Sequence, residues 1–325
     1  MASPKIIMAG TEFAAVRDFL IEALPDAEFA QVDVATLRTK GHVADVLLPA
    51  MSRIDAEVMD RIRGLRLIQQ WGAGLEGVDT AAATERKIAV ANVPTRGTGN
   101  AESVAEWCIM AAIAVSRRLP LALGTIRSGG RWGAPLGRSL MGRTAGILGL
   151  GGIGQALAVR LRPFEMRLIG LQRNPDPKLA QRLGMEWVGG PEHLPELLRR
   201  SDYLFLCAPL NEHTRNLVEE SALAMLPPQA CIINAARGGL LSTPAMLRAL
   251  AEGRLMGAGL DVFEEEPLDP GSALLRQPDV IATPHVAGVT DVSYRGIARE
   301  VGANIVRILE GRVPSNCVNW DAINR

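Results

Sequence analysis

The sequence predicts an α/β protein built on parallel sheets, and three observations support this fold class. Short apolar runs alternate with helix-like runs along most of the chain, which is typical of strand–helix–strand units. Hydrophobic residues make up 48% of the sequence and aromatic residues only 4%, so the core is largely aliphatic, as in sheets buried on both faces. A glycine fingerprint, Gly149, Gly151 and Gly154, lies between a predicted strand and a predicted helix. At 325 residues the chain is long enough for two such domains.

The N-terminal part predicts a small α/β unit that contains no phosphate fingerprint. The expected elements are a strand at Lys5–Ala9, a helix at Glu12–Leu24, a strand at Asp45–Leu48, a helix at Asp55–Leu65, and strands at Leu67–Trp71 and Ile88–Ala91. The Gly-rich segment Gly72–Asp79 follows a strand, where open α/β sheets bind ligands. Backbone N–H groups at Ala73 and Gly74 can hold a small anion there. The alternative is a plain turn.

The remainder of the chain predicts a second, longer series. A helix at Asn100–Arg118 is apolar on most faces and is therefore expected to be buried, and a connector rich in Gly and Arg follows at Gly124–Gly142. Further strands are expected at Ala145–Leu148, Arg167–Leu171, Tyr203–Cys207, Cys231–Asn234, Ala258–Val262 and Val280–Thr283. Further helices are expected at Gln155–Arg162, Leu179–Gly184, Pro191–Arg200, Glu219–Leu226, Pro244–Glu252 and Val292–Glu310.

The fingerprint predicts a dinucleotide site, because it leaves a strand and opens a helix. Gly149 allows the tight turn, Gly151 lets the backbone approach a pyrophosphate, and Gly154 lets helix and strand pack closely. The helix N-terminus then attracts the phosphates. The alternative is a tight turn without a ligand.

The end of the next strand bears on the choice of cofactor. An NAD-binding unit usually carries Asp or Glu about twenty residues after the fingerprint, whereas this chain has Gln172, Arg173 and Asn174. Arg173 can accept a 2′-phosphate, which favours NADP. If Arg173 points to solvent instead, the site still takes NAD.

Three successive predicted strands lead into ionisable residues, Arg237, Glu266 and His285. Carboxyl ends of parallel strands face the same crevice as the fingerprint loop. Arg can grip a carboxylate bidentately, His exchanges a proton near neutral pH, and Glu can orient the imidazole. Together they predict proton-coupled hydride transfer to a keto acid, although one isolated His of this kind is more often structural.

The chain resembles the D-isomer-specific 2-hydroxyacid dehydrogenase family, most strongly from about Leu65 to Gly311. The similarity rests on motifs in the family's order: Gly72–Asp79, Asn100 with Ser103–Glu106, Gly149–Gly154, Asn234–Gly238, Asp261–Phe263 with Glu266–Pro267, and Thr283–Gly288. Two departures concern Gln172, which replaces the common acidic residue, and Thr95–Gly99, which is longer than usual.

The resemblance implies two doubly wound (Rossmann/flavodoxin-like) parallel-sheet domains with a cleft between them. Residues 1–97 with 287–325 would form the substrate domain, and 98–286 the dinucleotide-binding domain. Arg237, Glu266 and His285 would be catalytic, and Ala73, Gly74, Asn100 and Arg237 would bind substrate. The implied cofactor-binding residues are Val104, Gly149, Leu150, Gly151, Gly152, Ile153, Gly154, Gln172, Arg173, Asn174, Ala208, Pro209, Thr214, Ala235, Ala236, Asp261, Ala287 and Gly288, with Asp261 on the carboxamide. The family also implies a homodimer to which Gly124–Gly142 contributes.

Composition excludes several classes of partner. Lys plus Arg and Asp plus Glu number 35 each, so no field favours nucleic acid or an anionic membrane. Four Cys show no metal spacing and indicate core thiols in a reducing compartment, and the start has no apolar signal region. We therefore expect a cytoplasmic NADP- or NAD-dependent reductase of a small 2-keto acid, such as glyoxylate or hydroxypyruvate, without a metal.

Two other functions stay open. One branch of the family acts as nucleotide-sensing corepressors or scaffolds, a role for which this chain offers no disordered extension. Another branch, the formate dehydrogenases, transfers hydride without a general acid. That branch has Gln where this chain has Glu266, which favours the keto-acid reductase.

Overall fold

A computed structural model describes residues 3–10 and 15–324. The strands are β1 (Lys5–Ala9), β2 (Glu28–Val32), β3 (His42–Val43), β4 (Val46–Leu48), β5 (Ile62–Arg63), β6 (Leu67–Gln69), β7 (Ala89–Ala91), β8 (Thr144–Leu148), β9 (Arg167–Leu171), β10 (Trp187–Gly189), β11 (Tyr203–Leu206), β12 (Ala230–Asn234), β13 (Leu255–Leu260) and β14 (Val280–Ala282). The helices are α1 (Ala15–Ala23), α2 (Val34–Thr39), α3 (Ala56–Asp60), α4 (Thr80–Glu85), α5 (Asn100–Ser116), α6 (Leu119–Arg127), α7 (Gly152–Leu161), α8 (Pro177–Leu183), α9 (Leu194–Arg200), α10 (Glu220–Leu223), α11 (Thr243–Ala251), α12 (Asp291–Leu309) and α13 (Trp320–Ile323).

The chain forms two compact units. The outer unit contains the residues up to Asn100 and those from Thr290 onwards, and the central unit is Ala101–Val289. Each unit has its own parallel sheet and its own hydrophobic core.

The outer unit is a five-stranded parallel sheet in the order β2-β1-β4-β6-β7. Successive side chains of β1 alternate between two cores: Ile6 and Met8 pack with α1 and α12, whereas Ile7 and Ala9 pack with α2 and α3. Both faces of the sheet are therefore covered, which explains why its strands are apolar runs. The last segment is tied to this sheet by Asn319, whose Oδ1 accepts the N–H of Val90 at 2.9 Å.

The central unit is a seven-stranded parallel sheet in the order β10-β9-β8-β11-β12-β13-β14. The order reverses between β8 and β11, and such a switch point is where doubly wound sheets bind their ligands. Helices α5, α7 and α8 cover one face, and α9, α10 and α11 cover the other. The predicted α/β class with a parallel sheet in each unit is confirmed, and β3 and β5 form a further two-stranded parallel sheet.

Several predicted elements are confirmed within a few residues, among them β1, β9 and the long helices α5 and α12. The helix predicted at Asp55–Leu65 is wrong beyond Asp60, because Ile62 and Arg63 pair instead with the strand His42–Val43. The helix predicted from Glu12 is described from Ala15, and its first residues lie outside the described ones.

Other elements were not predicted at all. Strands β2 and β10 and helices α2, α4, α6 and α13 are additions, and α6 occupies the start of the predicted connector. No single described helix has the length and apolarity needed to cross a membrane. Helices α5 and α6 pass that test only as a pair, bent by 56° at their junction.

Candidate active site

The fingerprint loop connects β8 to α7 at the switch point, and its glycines differ in what surrounds them. Gly149 has a φ of +106°, and a Cβ there would lie 2.7 Å from the backbone N of Ala208. At Gly154 a Cβ would lie 2.0 Å from the carbonyl oxygen of Gly149. At Gly151, in contrast, a Cβ would meet nothing within 4 Å. The two outer glycines are thus required by the fold, whereas the middle one leaves open space over the helix N-terminus.

The three residues that follow β9 directly, Gln172, Arg173 and Asn174, contain no carboxylate. Gln172 donates its backbone N–H to the Gly189 carbonyl at 3.0 Å, while its buried Oε1 has no hydrogen-bond partner among the described residues. Arg173 and Asn174 are exposed. A buried acceptor without a partner is unfavourable, so this position suits a ligand hydroxyl group.

His285 and Glu266 form a hydrogen-bonded pair after β14 and β13. The imidazole Nδ1 lies 2.7 Å from Glu266 Oε2, and the Phe263 N–H donates to Glu266 Oε1 at 2.8 Å. Burial of Glu266 acts to raise its pKa, but the hydrogen bond and charge of His285, with the Phe263 N–H, outweigh it. The pKa of Glu266 is therefore lowered from 4.5. The carboxylate is thus ionised at neutral pH, and it orients the ring by holding Nδ1.

Asp261 fixes the loop that carries His285. Its Oδ1 accepts the Thr283 hydroxyl at 2.5 Å and the Val286 N–H at 2.8 Å, and its Oδ2 accepts the Ala287 N–H at 2.7 Å. Burial raises the pKa of Asp261 in spite of these three bonds. His285 itself has a φ of +55°, and its N–H donates to the Asp261 carbonyl at 2.9 Å. Since a positive φ is unfavourable for a side chain of this size, the bonds to Asp261 help to hold His285 in that conformation.

Arg237 is placed by a turn at the end of β12. Asn234 accepts the Ala236 N–H at 3.1 Å and donates to the Arg237 carbonyl at 3.0 Å, while Arg237 Nη1 donates to the Ala236 carbonyl at 2.7 Å. A Cβ on Gly238 would lie 1.9 Å from the Phe263 carbonyl carbon, so this turn packs directly on the segment that precedes Glu266. The charge of Arg237 also contributes to the lowered pKa of Glu266.

The other predicted cofactor-binding residues of the central unit divide by exposure. Val104, Leu150, Ala208, Ala236 and Ala287 are buried. Gly152, Ile153, Ala235, Thr214 and Gly288 are half-buried, and Pro209 is exposed. The Thr214 hydroxyl donates to the Pro209 carbonyl at 2.7 Å, which closes the loop after β11. Among the described residues no group of three His, Cys, Asp or Glu side chains is placed to hold a metal ion.

The predicted substrate-binding residues Ala73, Gly74 and Asn100 belong to the outer unit. Ala73 is exposed after β6, and its carbonyl accepts from Asn92 Nδ2 at 2.7 Å. Asn100 begins α5 and donates from Nδ2 to the Ser293 hydroxyl at 3.1 Å.

The sequence analysis missed the positioning roles of Thr283, Phe263 and Asn234. Asn at a strand end is typical of a turn closed by its own side chain, so Asn234 carried a usable signal. The Phe263 N–H and the Thr283 hydroxyl are recognisable only from the folded geometry.

Comparisons with known proteins place these features in context. The sequence profile described as "D-isomer specific 2-hydroxyacid dehydrogenase, NAD binding domain" matches residues 109–287. A glyoxylate reductase of Thermococcus litoralis is 35% identical over 280 residues, covering 83% of this chain and 82% of the relative. The TT0316 protein of Thermus thermophilus is 34% identical with a TM-score of 0.83, covering 97% of this chain and 99% of that one. The apo D-lactate dehydrogenase of Escherichia coli is 26% identical with a TM-score of 0.84, over the same shares of the two chains.

Proposed function

The chain belongs to the D-isomer-specific 2-hydroxyacid dehydrogenase family and is an oxidoreductase that uses a nicotinamide cofactor, and on that basis we propose that it reduces a small 2-keto acid to the D-2-hydroxy acid. The observation that supports the proposal best is the 2.7 Å pair of His285 and Glu266, which follows strands of the same parallel sheet as the fingerprint strand β8. Glyoxylate and hydroxypyruvate are the proposed substrates, and the relative from Thermococcus litoralis is named for the first.

The central unit is proposed to bind the dinucleotide and the outer unit the substrate. The open space above Gly151 and the unpartnered Gln172 Oε1 suit a pyrophosphate and a ribose hydroxyl, respectively. When bound, the reduced cofactor supplies hydride to the carbonyl carbon. Asp261 keeps one of four lone-pair directions beyond its three hydrogen bonds, which is the direction proposed for a carboxamide.

In the proposed mechanism His285 protonates the carbonyl oxygen from Nε2, while Glu266 holds Nδ1 and stabilises the imidazolium. Arg237 pairs with the substrate carboxylate and polarises the carbonyl group. The roles of Ala73, Gly74 and Asn100 in substrate binding are proposals that rest on the resemblance of their segments to the family.

The function is tested by following NADH and NADPH oxidation over a panel of 2-keto acids. Wild type should turn over glyoxylate and hydroxypyruvate, and His285→Ala should turn them over much more slowly. Turnover of neither acid by wild type would contradict the substrate proposal, and formate-dependent reduction of NAD would favour the formate-dehydrogenase type. Sound cofactor binding without any turnover would favour the corepressor or scaffold.

For the cofactor we propose a preference for NADPH. Gln172 cannot repel a 2′-phosphate, and the exposed Arg173 can pair with it. Arg173→Ala should reduce the ratio of kcat/KM for NADPH to that for NADH by roughly five- to thirty-fold, as expected for about 1–2 kcal/mol from a partly exposed charge pair. Arg182→Ala on α8 is the control. A wild type that prefers NADH, with no change in the Arg173 variant, would contradict the preference.

We also propose a homodimer formed through the segment around α6. No residue of α6 is buried, and Ile126, Trp132 and Leu136 expose 70%, 90% and 91% of their surface. Clustered exposed apolar side chains of this kind mark protein interfaces. Light scattering after gel filtration should show a dimer, and the Trp132→Ser, Leu136→Ser double variant should be a monomer. The control variant Val43→Ser should remain a dimer.

A cytoplasmic location stays a proposal, supported by the four free cysteines.

A further inference from the structure

A groove that the proposed function does not use lies in the outer unit, between α1 and α12. Its volume is about 520 Å³, which is within the range of small-molecule sites. The groove contains none of the residues proposed for substrate or cofactor binding. We call it the arginine groove because its rim carries four arginines, Arg295, Arg299, Arg307 and Arg312.

The rim is strongly positive although the chain as a whole is neutral. Among the described residues Glu22 is the only acidic one that lines the groove, and its Oε1 lies 3.6 Å from Arg295 Nε. Arg312 pairs with Glu310 outside the groove. Arg307 donates to the Ser315 hydroxyl at 2.8 Å, a neutral acceptor that does not compensate its charge. Among the described residues, the four lining arginines therefore outnumber the two carboxylates paired with them, Glu22 and Glu310.

Arg299 adds to this excess, because the described residues give it no ion pair or hydrogen bond. Arg295 and Arg299 are four residues apart on α12 and thus lie on the same face of the helix. Their guanidinium groups can therefore reach one ligand together.

The floor of the groove is apolar. Phe19 and Leu24 of the α1 segment face Ala298 and Val306 of α12. Arg295 lies over the Phe19 ring, 5.6 Å from its centroid, and this contact holds the guanidinium at the groove edge. A Cβ on Gly302 would be 3.5 Å from Leu24 Cγ, so the glycine brings the two helices close and forms the floor.

We propose that the arginine groove binds a small organic polyanion, with two or more carboxylate or phosphate groups on a short carbon skeleton. Guanidinium groups pair bidentately with both kinds of anion, and several arginines around one cavity suit more than one anionic group. The apolar floor accommodates the skeleton. This site is separate from the dehydrogenase chemistry and does not depend on the proposed substrate.

The test is calorimetric titration of the full chain at low ionic strength, with saturating NADPH to fill the dinucleotide site, including the proposed 2′-phosphate position at Arg173. Citrate probes for carboxylates and pyrophosphate for phosphates, and acetate at matched ionic strength corrects for general screening. We expect citrate, pyrophosphate or both to bind at one site per chain. The probe that binds more tightly shows whether the groove prefers carboxylate or phosphate groups. The Arg295→Gln, Arg299→Gln double variant should weaken that binding by about tenfold or more.

Arg63→Gln on the exposed strand β5 is the matched control and should bind like wild type. Gln keeps helix propensity close to that of Arg, and an unchanged thermal transition would show that the double variant is folded. A second variant, Ala303→Leu, adds bulk at a half-buried residue that lines the groove, without altering charge, and should also weaken binding. No binding of either polyanion up to about 10 mM, or equal binding by wild type and the arginine variant, would overturn the proposal.

Discussion

Replacing Glu266 with Gln removes a negative charge beside His285 and keeps the shape of the side chain. The carboxylate Oε2 lies 2.7 Å from the imidazole Nδ1, and the two side chains are 17% and 34% exposed. At about 4 Å between charge centres the attraction is ~1 kcal/mol in water and ~4 kcal/mol at an effective dielectric constant of 20. Because His285 is about one-third exposed, we take ~1–2 kcal/mol for this attraction, which corresponds to roughly five- to thirty-fold in a rate that depends on it.

The direction of the change follows from the roles of the proton. Keto-acid reduction needs a protonated imidazole and should fall as pH rises, whereas alcohol oxidation needs the neutral form and should fall as pH drops. Without the carboxylate the imidazolium is less favoured, so Glu266→Gln should lower kcat/KM for keto-acid reduction by about five- to thirty-fold at the alkaline end of the profile.

The assay is kcat/KM against pH in both directions, with solvent isotope effects to show that proton transfer is observed. Glu265→Gln, on the exposed neighbour, is the matched control and should leave both pH profiles unchanged. If the profile of Glu266→Gln coincided with that of wild type, the carboxylate would not assist His285, and the coupling argued from the 2.7 Å contact would be refuted.

Two further predictions concern the fingerprint and the thiols. Gly154→Ala places a Cβ 2.0 Å from a backbone oxygen and should destabilise the protein by more than about 2 kcal/mol. In Gly151→Ala the new Cβ meets nothing within 4 Å, so this variant should keep the wild-type thermal transition and lose cofactor affinity. Equal melting temperatures for the two variants would contradict the packing argument. Burial raises the pKa of Cys207 and of Cys231 to about 12. At pH 8 neither thiol should therefore react with iodoacetamide until the protein unfolds. Rapid labelling of the native protein would contradict this and would show that the structure around these thiols opens to solvent.

The sequence predicts those parts of the fold that depend on local apolar pattern. Strand β9 was predicted at its observed limits because both faces of the sheet are buried and its last four residues, 168–171, form one apolar run. Strand β2 was missed because Glu28 and Gln31 interrupt the run at the exposed edge of the outer sheet. The helix predicted over Asp55–Leu65 failed because Ile62 and Arg63 pair with His42 and Val43, a contact between distant segments that helical periodicity does not reveal.

The candidate site shows the same division. That Arg237, Glu266 and His285 follow neighbouring strands was evident from strand order alone, because parallel strands present their carboxyl ends at one edge. The clamp of Asp261 on Thr283, Val286 and Ala287 depends on how two loops pack, and only the three-dimensional structure shows it.

The most direct test of the central claim is the single-turnover rate of His285→Ala with reduced cofactor and glyoxylate, measured beside cofactor affinity by fluorescence titration. Loss of a general acid should lower the rate by about 10²–10⁴-fold, while cofactor affinity stays close to that of wild type because the fingerprint loop is unchanged. A His285→Ala enzyme that turns over glyoxylate at the wild-type rate would contradict the assignment of His285 as the proton donor.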